Sequence, residues 1–258
     1  MITLKERISK NSYIYLSSLF SFLILIIIVF LFPVEFSGYR TTDLLAPIWF
    51  GITETGGWRG GIFIFLILLF YLLIHFKRSS KKYSDLVFFI SIVFFTQIFI
   101  TGFSQFYAKD LFRKPRPNQL YLVEKGYMEK EGTLFFSMPS GERRKYLQEK
   151  IKQDDDSLSD IYPPILNNWI YDSGFSFPSG HSQTSFFLGS IIAFAILRTT
   201  SGKNKYFFII PLIWAILVAL SRVVIGIHYP IDVAAGAFVG MSAAIVIISL
   251  KRVNSIFE

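Results

Sequence analysis

Six long apolar runs divide this chain, and a bilayer is the solvent that lets a sequence of this size satisfy all of them. They cover residues 13–33, 60–76, 86–108, 181–197, 206–221 and 231–250. A helix crossing the hydrocarbon core needs about 20 mainly apolar residues, within a range of about 17–25. The first, third and sixth runs meet this directly; the second, fourth and fifth are short and borrow polar residues at their ends. With 52% hydrophobic and 17% charged residues, the chain is far greasier than soluble domains, which carry about 25% charged residues. One such run would read as a buried helix, but six in 258 residues predict an all-α integral membrane protein with six transmembrane helices and one domain over 1–258.

Basic residues set the expected orientation. Lys5, Arg7 and Lys10, then Lys77, Arg78, Lys81 and Lys82, then Arg198, Lys203 and Lys205, then Lys251 and Arg252 occupy the N-terminus, alternate loops and the C-terminus. The positive-inside rule places these in the cytoplasm, so both termini are expected inside. They also account for the net charge of +8, facing anionic lipid with no need of nucleic acid. The first run exceeds the 7–15-residue core of a cleaved signal peptide and lacks an A-x-A site, so it is expected to remain as an anchor. Without cysteine, no disulfide framework or thiol chemistry is available. Between the third and fourth runs lies a 72-residue polar segment, 109–180, with eleven basic and eleven acidic residues. It is expected to form a partly helical extracytoplasmic domain: 142–152 has helical composition, Pro163-Pro164 interrupts helix, and Trp169 and Tyr171 suit the membrane interface. Asp154-Asp155-Asp156 reads as a solvated turn, because consecutive carboxylates do not converge on one cation.

Three short polar islands adjoin the apolar runs. Lys109 and Arg116-Pro117 follow the third, Pro178-Ser179-Gly180-His181 leads into the fourth, and Ser221-Arg222, His228 and Asp232 join the fifth to the sixth. In a six-span chain with both ends inside, all three fall on the outer face. That spares their ionisable groups the hydrocarbon centre, where each costs about 2.5–3.5 kcal/mol. Lys109, Arg116 and Arg222 supply positive charge, and the arginine forks match phosphate oxygens. Ser179, Gly180 and His181 open a helix whose unpaired N–H groups attract anions, and Gly180 admits close backbone approach. Asp232, four residues after His228, is within reach to fix that ring's tautomer. An oriented neutral imidazole is a nucleophile or a base, and a second histidine can take the opposite proton role.

Taken singly, each residue has an ordinary explanation. Ser179 suits a helix cap, Asp232 a dipole partner, and Lys109, Arg113, Lys114 and Arg116 an interfacial cluster; Arg113 and Lys114 keep that reading, or meet a second phosphate. Gly236 and Gly240 form a small-xxx-small pair for helix packing.

Taken together and in this order, Lys109-x6-Arg116-Pro117, Pro178-Ser179-Gly180-His181 and Ser221-Arg222-x5-His228-x3-Asp232 resemble the three signature motifs of the type-2 phosphatidic acid phosphatase superfamily. Thr53-Glu54-Thr55 and Ser173-Gly174-Phe175 are similar to its phosphatidylglycerophosphatase B branch. The resemblance implies a lipid phosphatase of the bacterial inner membrane, acting at the periplasmic face on a phosphorylated lipid without metal or cofactor. It implies His228 as nucleophile oriented by Asp232, His181 as general acid and base, and Lys109, Arg116, Ser179, Gly180 and Arg222 as phosphate-binding residues. Transfer of phosphate between lipids, or removal of phosphate from lipid A, stays open as the alternative. A transporter is disfavoured because the interiors of the six runs carry no charge.

Overall fold

The computed structural model describes residues 9–32, 44–129, 133–152 and 158–258. Lys5, Arg7 and the acidic triplet 154–156 lie outside the described residues. Among the described residues every regular element is a helix, and six helices are long and apolar enough to cross a membrane. They are α1 (Ser12–Leu31), α3 (Trp58–Arg78), α4 (Tyr83–Phe112), α9 (Gly180–Thr199), α10 (Ile209–Val224, entered through a 3₁₀ turn at Gly202–Phe208) and α11 (Pro230–Ser249). The smaller helices are α2 (Leu45–Gly56), α5 (Pro117–Glu124), α6 (Thr133–Ser137), α7 (Ser140–Lys152), α8 (Pro163–Tyr171) and α12 (Lys251–Ile256).

The spans divide into an inner and an outer set. Windows of α9, α10 and α11 are 67%, 61% and 56% buried within the protein, against 28%, 22% and 22% for α1, α3 and α4. The outer three therefore present side chains such as Phe20, Phe63, Phe70, Phe95 and Phe99 outward, as lipid-facing helices do. The inner three pack because small residues let their backbones meet. A Cβ on Gly236 would stand 2.2 Å from the Ser179 carbonyl oxygen, and one on Gly240 2.1 Å from that of Gln183. The small-xxx-small pair therefore faces α9, as the spacing predicts.

Both described ends of the chain meet at one end of the bundle. Lys10 pairs with Glu258 at 3.0 Å, and Arg198 donates to Asn11 and Asn254. Phe257 packs edge-on against Phe76, Phe89 and Phe194, so α12 closes that end with aromatic contacts. The three polar islands gather at the other end.

Four features depart from the sequence expectations. The third span does not stop at residue 108: it continues to Phe112 through a π turn at Ser104–Ala108, and Lys109 sits on this extension. Arg113, in the left-handed region at φ 42°, ends the helix ahead of Pro115 and Pro117. The segment between the first two spans contains α2, which packs on α10. Pro163-Pro164 starts a helix instead of interrupting one, since proline at the first helical position gives up an N–H that has no partner anyway. Trp169 is not an interfacial anchor. It is fully buried with Leu122, Leu147 and Ile165 in a core beneath α5–α8, and its indole N–H donates to the Ile225 carbonyl at 2.8 Å.

The close approach of α9 and α11 gives a direct test. Gly240→Ala should lower stability by about 1–3 kcal/mol, the range for overpacking, read as a lower thermal midpoint in detergent. Gly51→Ala, with nothing within 4 Å of the added methyl, should show no loss.

Candidate active site

Helix ends bring the polar islands together. Ser179 caps α9, accepting the Ser182 N–H, while its own N–H donates to the Asp232 carbonyl at 3.0 Å. The starts of α9 and α11 are thereby fastened side by side. The turn from Arg222 to His228 folds back at the end of α10, where the Ile227 and His228 N–H groups donate to the Arg222 carbonyl. The first island docks onto this turn through Asn118, whose N–H donates to the Gly226 carbonyl at 2.8 Å. The π turn brings α4 against α9, with Ser104 donating to Gln183 at 2.6 Å; such turns place helix residues off the regular register, often at functional sites.

Asp172 stands at the centre of this arrangement. Its Oδ1 accepts from Arg116 Nη2 at 2.8 Å and its Oδ2 from Arg222 Nη2 at 2.7 Å. Both arginine side chains are fully buried. Arg116 Nε also donates to the Gly174 carbonyl at 2.7 Å, and Arg222 Nη1 to Thr53 at 2.9 Å. Burial alone would raise the Asp172 carboxyl. Arg116, Arg222 and Lys109 together outweigh that and hold it well below the usual carboxylate range.

His228 is 2% exposed. Its Nε2 lies 3.4 Å from Arg116 Nη1, and its Nδ1 lies 3.5 Å from Asp232 Oδ2. Burial first, then the positive charges of Arg116, Arg222 and Lys109, push the imidazole well below its ordinary value of 6.5 and keep it neutral. Asp232 is fully buried, and its Oδ2 also accepts the Tyr229 N–H at 2.9 Å. His181 sits on the first turn of α9 and faces the corner between α2 and α3, where a Cβ on Gly57 would lie 3.2 Å from its Nε2. Lys109 is 7% exposed and within electrostatic reach of Arg116, Arg222, Asp172 and Asp232.

All eight residues singled out in the sequence thus lie at one end of the bundle, with the three islands hydrogen-bonded or electrostatically coupled to one another. Asp172 and Gly57, which the sequence does not mark, join them, as do Thr53, named there only in the resemblance, and Lys114, read there as an interfacial cation or a partner for a second phosphate. Asp172 and Thr53 fix the arginines, Gly57 gives His181 room, and Lys114 binds Asp232. Asp172 lies just before Ser173-Gly174-Phe175, yet nothing in its spacing marks it, because its partners are 56 and 50 residues away. Four cationic side chains (Lys109, Lys114, Arg116 and Arg222) here stand against two carboxylates, with exposed Glu54 at the edge. This is an electrostatic setting for an anion.

Two measurements probe these electrostatics. Imidazole ¹⁵N shifts of His228 in the detergent-solubilised protein should stay those of a neutral ring as pH falls through 6.5; a midpoint at or above 6.5 would contradict the buried, cation-flanked environment. Asp172→Asn should cost about 3 kcal/mol in stability by leaving two buried guanidinium groups without their shared charge. Because the folded carboxyl is depressed, that contribution is complete above about pH 4 and declines below it. The gap in thermal midpoint between wild type and variant should accordingly be widest near neutrality and shrink in acid.

The chain is similar to known proteins. A family model described as the PAP2 superfamily matches residues 85–255. The chain is 24% identical to phosphatidylglycerophosphatase B of Haemophilus influenzae over 93% of its own length and 97% of that protein's. Over 29% of its length and 17% of the relative's, it is 38% identical to sphingosine-1-phosphate phosphatase 1 of Rattus norvegicus. It is 35% identical to undecaprenyl-diphosphatase of Sulfolobus acidocaldarius over 26% of its length and 29% of that protein's.

Proposed function

The chain belongs to the PAP2 superfamily, and we propose that it is an integral membrane phosphatase that hydrolyses phosphomonoester or pyrophosphate head groups of lipids through a phosphohistidine on His228. The observation that carries this is the neutral, buried His228 ring, set between a guanidinium on one side and a carboxylate on the other. The relatives, by name, act on phosphatidylglycerophosphate, sphingosine-1-phosphate and undecaprenyl diphosphate. Phosphatidylglycerol phosphate, phosphatidic acid, lysophosphatidic acid and undecaprenyl diphosphate are the candidate substrates.

The geometry supports a two-step displacement. The lone pair of His228 Nε2 attacks phosphorus, and the bond to the lipid oxygen breaks as His181 gives that oxygen a proton. Asp232 accepts a hydrogen bond from Nδ1–H as the ring turns cationic and stabilises the positive charge that develops there. In the second step His181 takes a proton from water, the resulting hydroxide attacks phosphorus, and the P–N bond breaks to release phosphate and restore His228. Asp172 holds one arm of each arginine, which leaves Arg222 Nε for the phosphoryl oxygens, while Arg116 Nη1 lies beside His228 Nε2, where the phosphoryl group would enter. Lys109, the Ser179 hydroxyl and the backbone at Gly180 complete the phosphoryl cradle. Charge stabilisation by fixed cations is the main catalytic contribution such a site offers. The excess of cations over carboxylates suits a phosphomonoester dianion.

The site lies at the end of the bundle opposite Lys10, Lys81, Arg198 and Arg252. By the positive-inside rule this supports a site on the outer face of the membrane, which our reading takes to be the bacterial inner membrane.

His228→Ala should abolish phosphate release from purified protein across a panel of these lipids in mixed micelles. Rapid acid-free quenching of wild type with labelled lipid should trap a base-stable, acid-labile phosphoenzyme that His228→Ala lacks. Activity should persist in chelator, and strict dependence on added magnesium would contradict the cation-only site. Recovery of label as free phosphate, instead of on an acceptor lipid, separates hydrolysis from transfer.

A further inference from the structure

We infer that Lys114 is a positioning residue for the His228–Asp232 pair. It holds one oxygen of the buried carboxylate so that the other is presented to the ring. The inference rests on the reading of His228 as nucleophile.

Lys114 lies inside the first island, two residues before Arg116. The sequence suggests an interfacial cation or a partner for a second phosphate; the structure turns its side chain inward instead. Lys114 Nζ is 3.0 Å from Asp232 Oδ1 and 4.1 Å from the centre of the Tyr229 ring. Its side chain is 33% exposed, whereas that of Asp232 is wholly buried. The Lys114 carbonyl accepts the Ser176 N–H at 2.8 Å, and Pro115 follows, so the backbone carrying the ammonium is itself fastened.

The two oxygens of Asp232 thus have separate holders. Oδ2 accepts the Tyr229 N–H at 2.9 Å and stands 3.5 Å from His228 Nδ1, while Oδ1 accepts from Lys114. A carboxylate gripped at one oxygen turns about its last side-chain torsion, which is broad for aspartate. Gripped at both, it has a fixed plane, and the lone pair facing Nδ1 has a fixed direction. The ammonium also offsets the cost of burying the carboxylate, which an unpaired acid at this position would incur. The stacking of Lys114 over Tyr229 keeps the ammonium from swinging to solvent, at a ring next in sequence to His228 itself. Among the described residues the side-chain partners of Lys114 are Asp232 and the Tyr229 ring, so its effect on His228 runs through Asp232.

The test uses full-length protein in detergent with steady-state and single-turnover kinetics. Lys114→Met keeps the length of the side chain and removes its charge. It should lower kcat and the rate of phosphoenzyme formation by roughly 10- to 100-fold, the loss expected when one charge-assisted hydrogen bond goes, with KM changed less than about twofold. Lys114→Arg should restore most of the rate. Adding Lys114→Met to Asp232→Asn should cost little beyond Asp232→Asn alone, because the lysine acts through that carboxylate. A rise in KM at unchanged kcat would overturn the inference in favour of a substrate-binding cation, and unaltered kinetics would return Lys114 to the lipid interface. A rate loss that Lys114→Arg leaves unrepaired, with a lowered thermal midpoint in both variants, would also overturn it by making the contact structural. Full activity in His228→Ala would instead overturn the assignment of His228 as nucleophile.

Discussion

Two guanidinium groups buried side by side in one small site repel each other and have each lost the water that solvated them. Arg116 and Arg222 are in that position, and Asp172 makes it tolerable by giving one oxygen to each. Much of the rest of the site follows from this shared carboxylate. Arg116, held by Asp172 and the Gly174 carbonyl, turns its remaining arm toward His228. Arg222, held by the other oxygen, reaches Thr53 and so ties α2 to the end of α10. Asp172 itself ends α8, which stands on the Ile225–Ile227 turn through Trp169. One acid therefore joins the cap of small helices, the α2 corner and the inner spans around a common point.

That point needs a rigid base, which the inner spans provide. α9 and α11 approach so closely that Gly236 and Gly240 have no room for a side chain. The hydrogen bond from the Ser179 N–H to the Asp232 carbonyl locks their first turns in register. The groups proposed to do the chemistry are on or beside these turns, where errors in position are smallest. The outer spans α1, α3 and α4 are mostly exposed to the surroundings and bear on the site at fewer points: Lys109 on α4, the π turn of α4 at Gln183 and the Gly57 corner at His181.

The parts of this arrangement legible in the sequence are those written in local pattern. Apolar length marked the six spans, and island order placed Lys109, Arg116, Ser179, Gly180, His181, Arg222, His228 and Asp232 near one another before any coordinates. The parts that were not legible depend on distant partners. α2 escaped notice because its apolar run at 44–50 is short and is followed by Gly51, Glu54 and the glycine pair 56–57, which together read as a loop. Trp169 has the composition of an interfacial anchor, and only the core formed with Leu122, Leu147 and Ile165 buries it. Asp172 is unmarked in the sequence, and Lys114 reads there as an interfacial cation or a partner for a second phosphate, because their partners are separated from them by at least 50 residues.

Burial supplies the last link, because one physical cause leads to opposite outcomes for the acids and for His228. Loss of water penalises a charged group of either sign. Asp172 and Asp232 meet that penalty by pairing, the first with two arginines and the second with Lys114 and the Tyr229 N–H. His228 meets it by shedding its proton, helped by the cations those acids hold in place. Here the carboxylates take one arm of each arginine and the ammonium of Lys114, and the remaining arm of Arg116 lies 3.4 Å from Nε2 of the neutral ring.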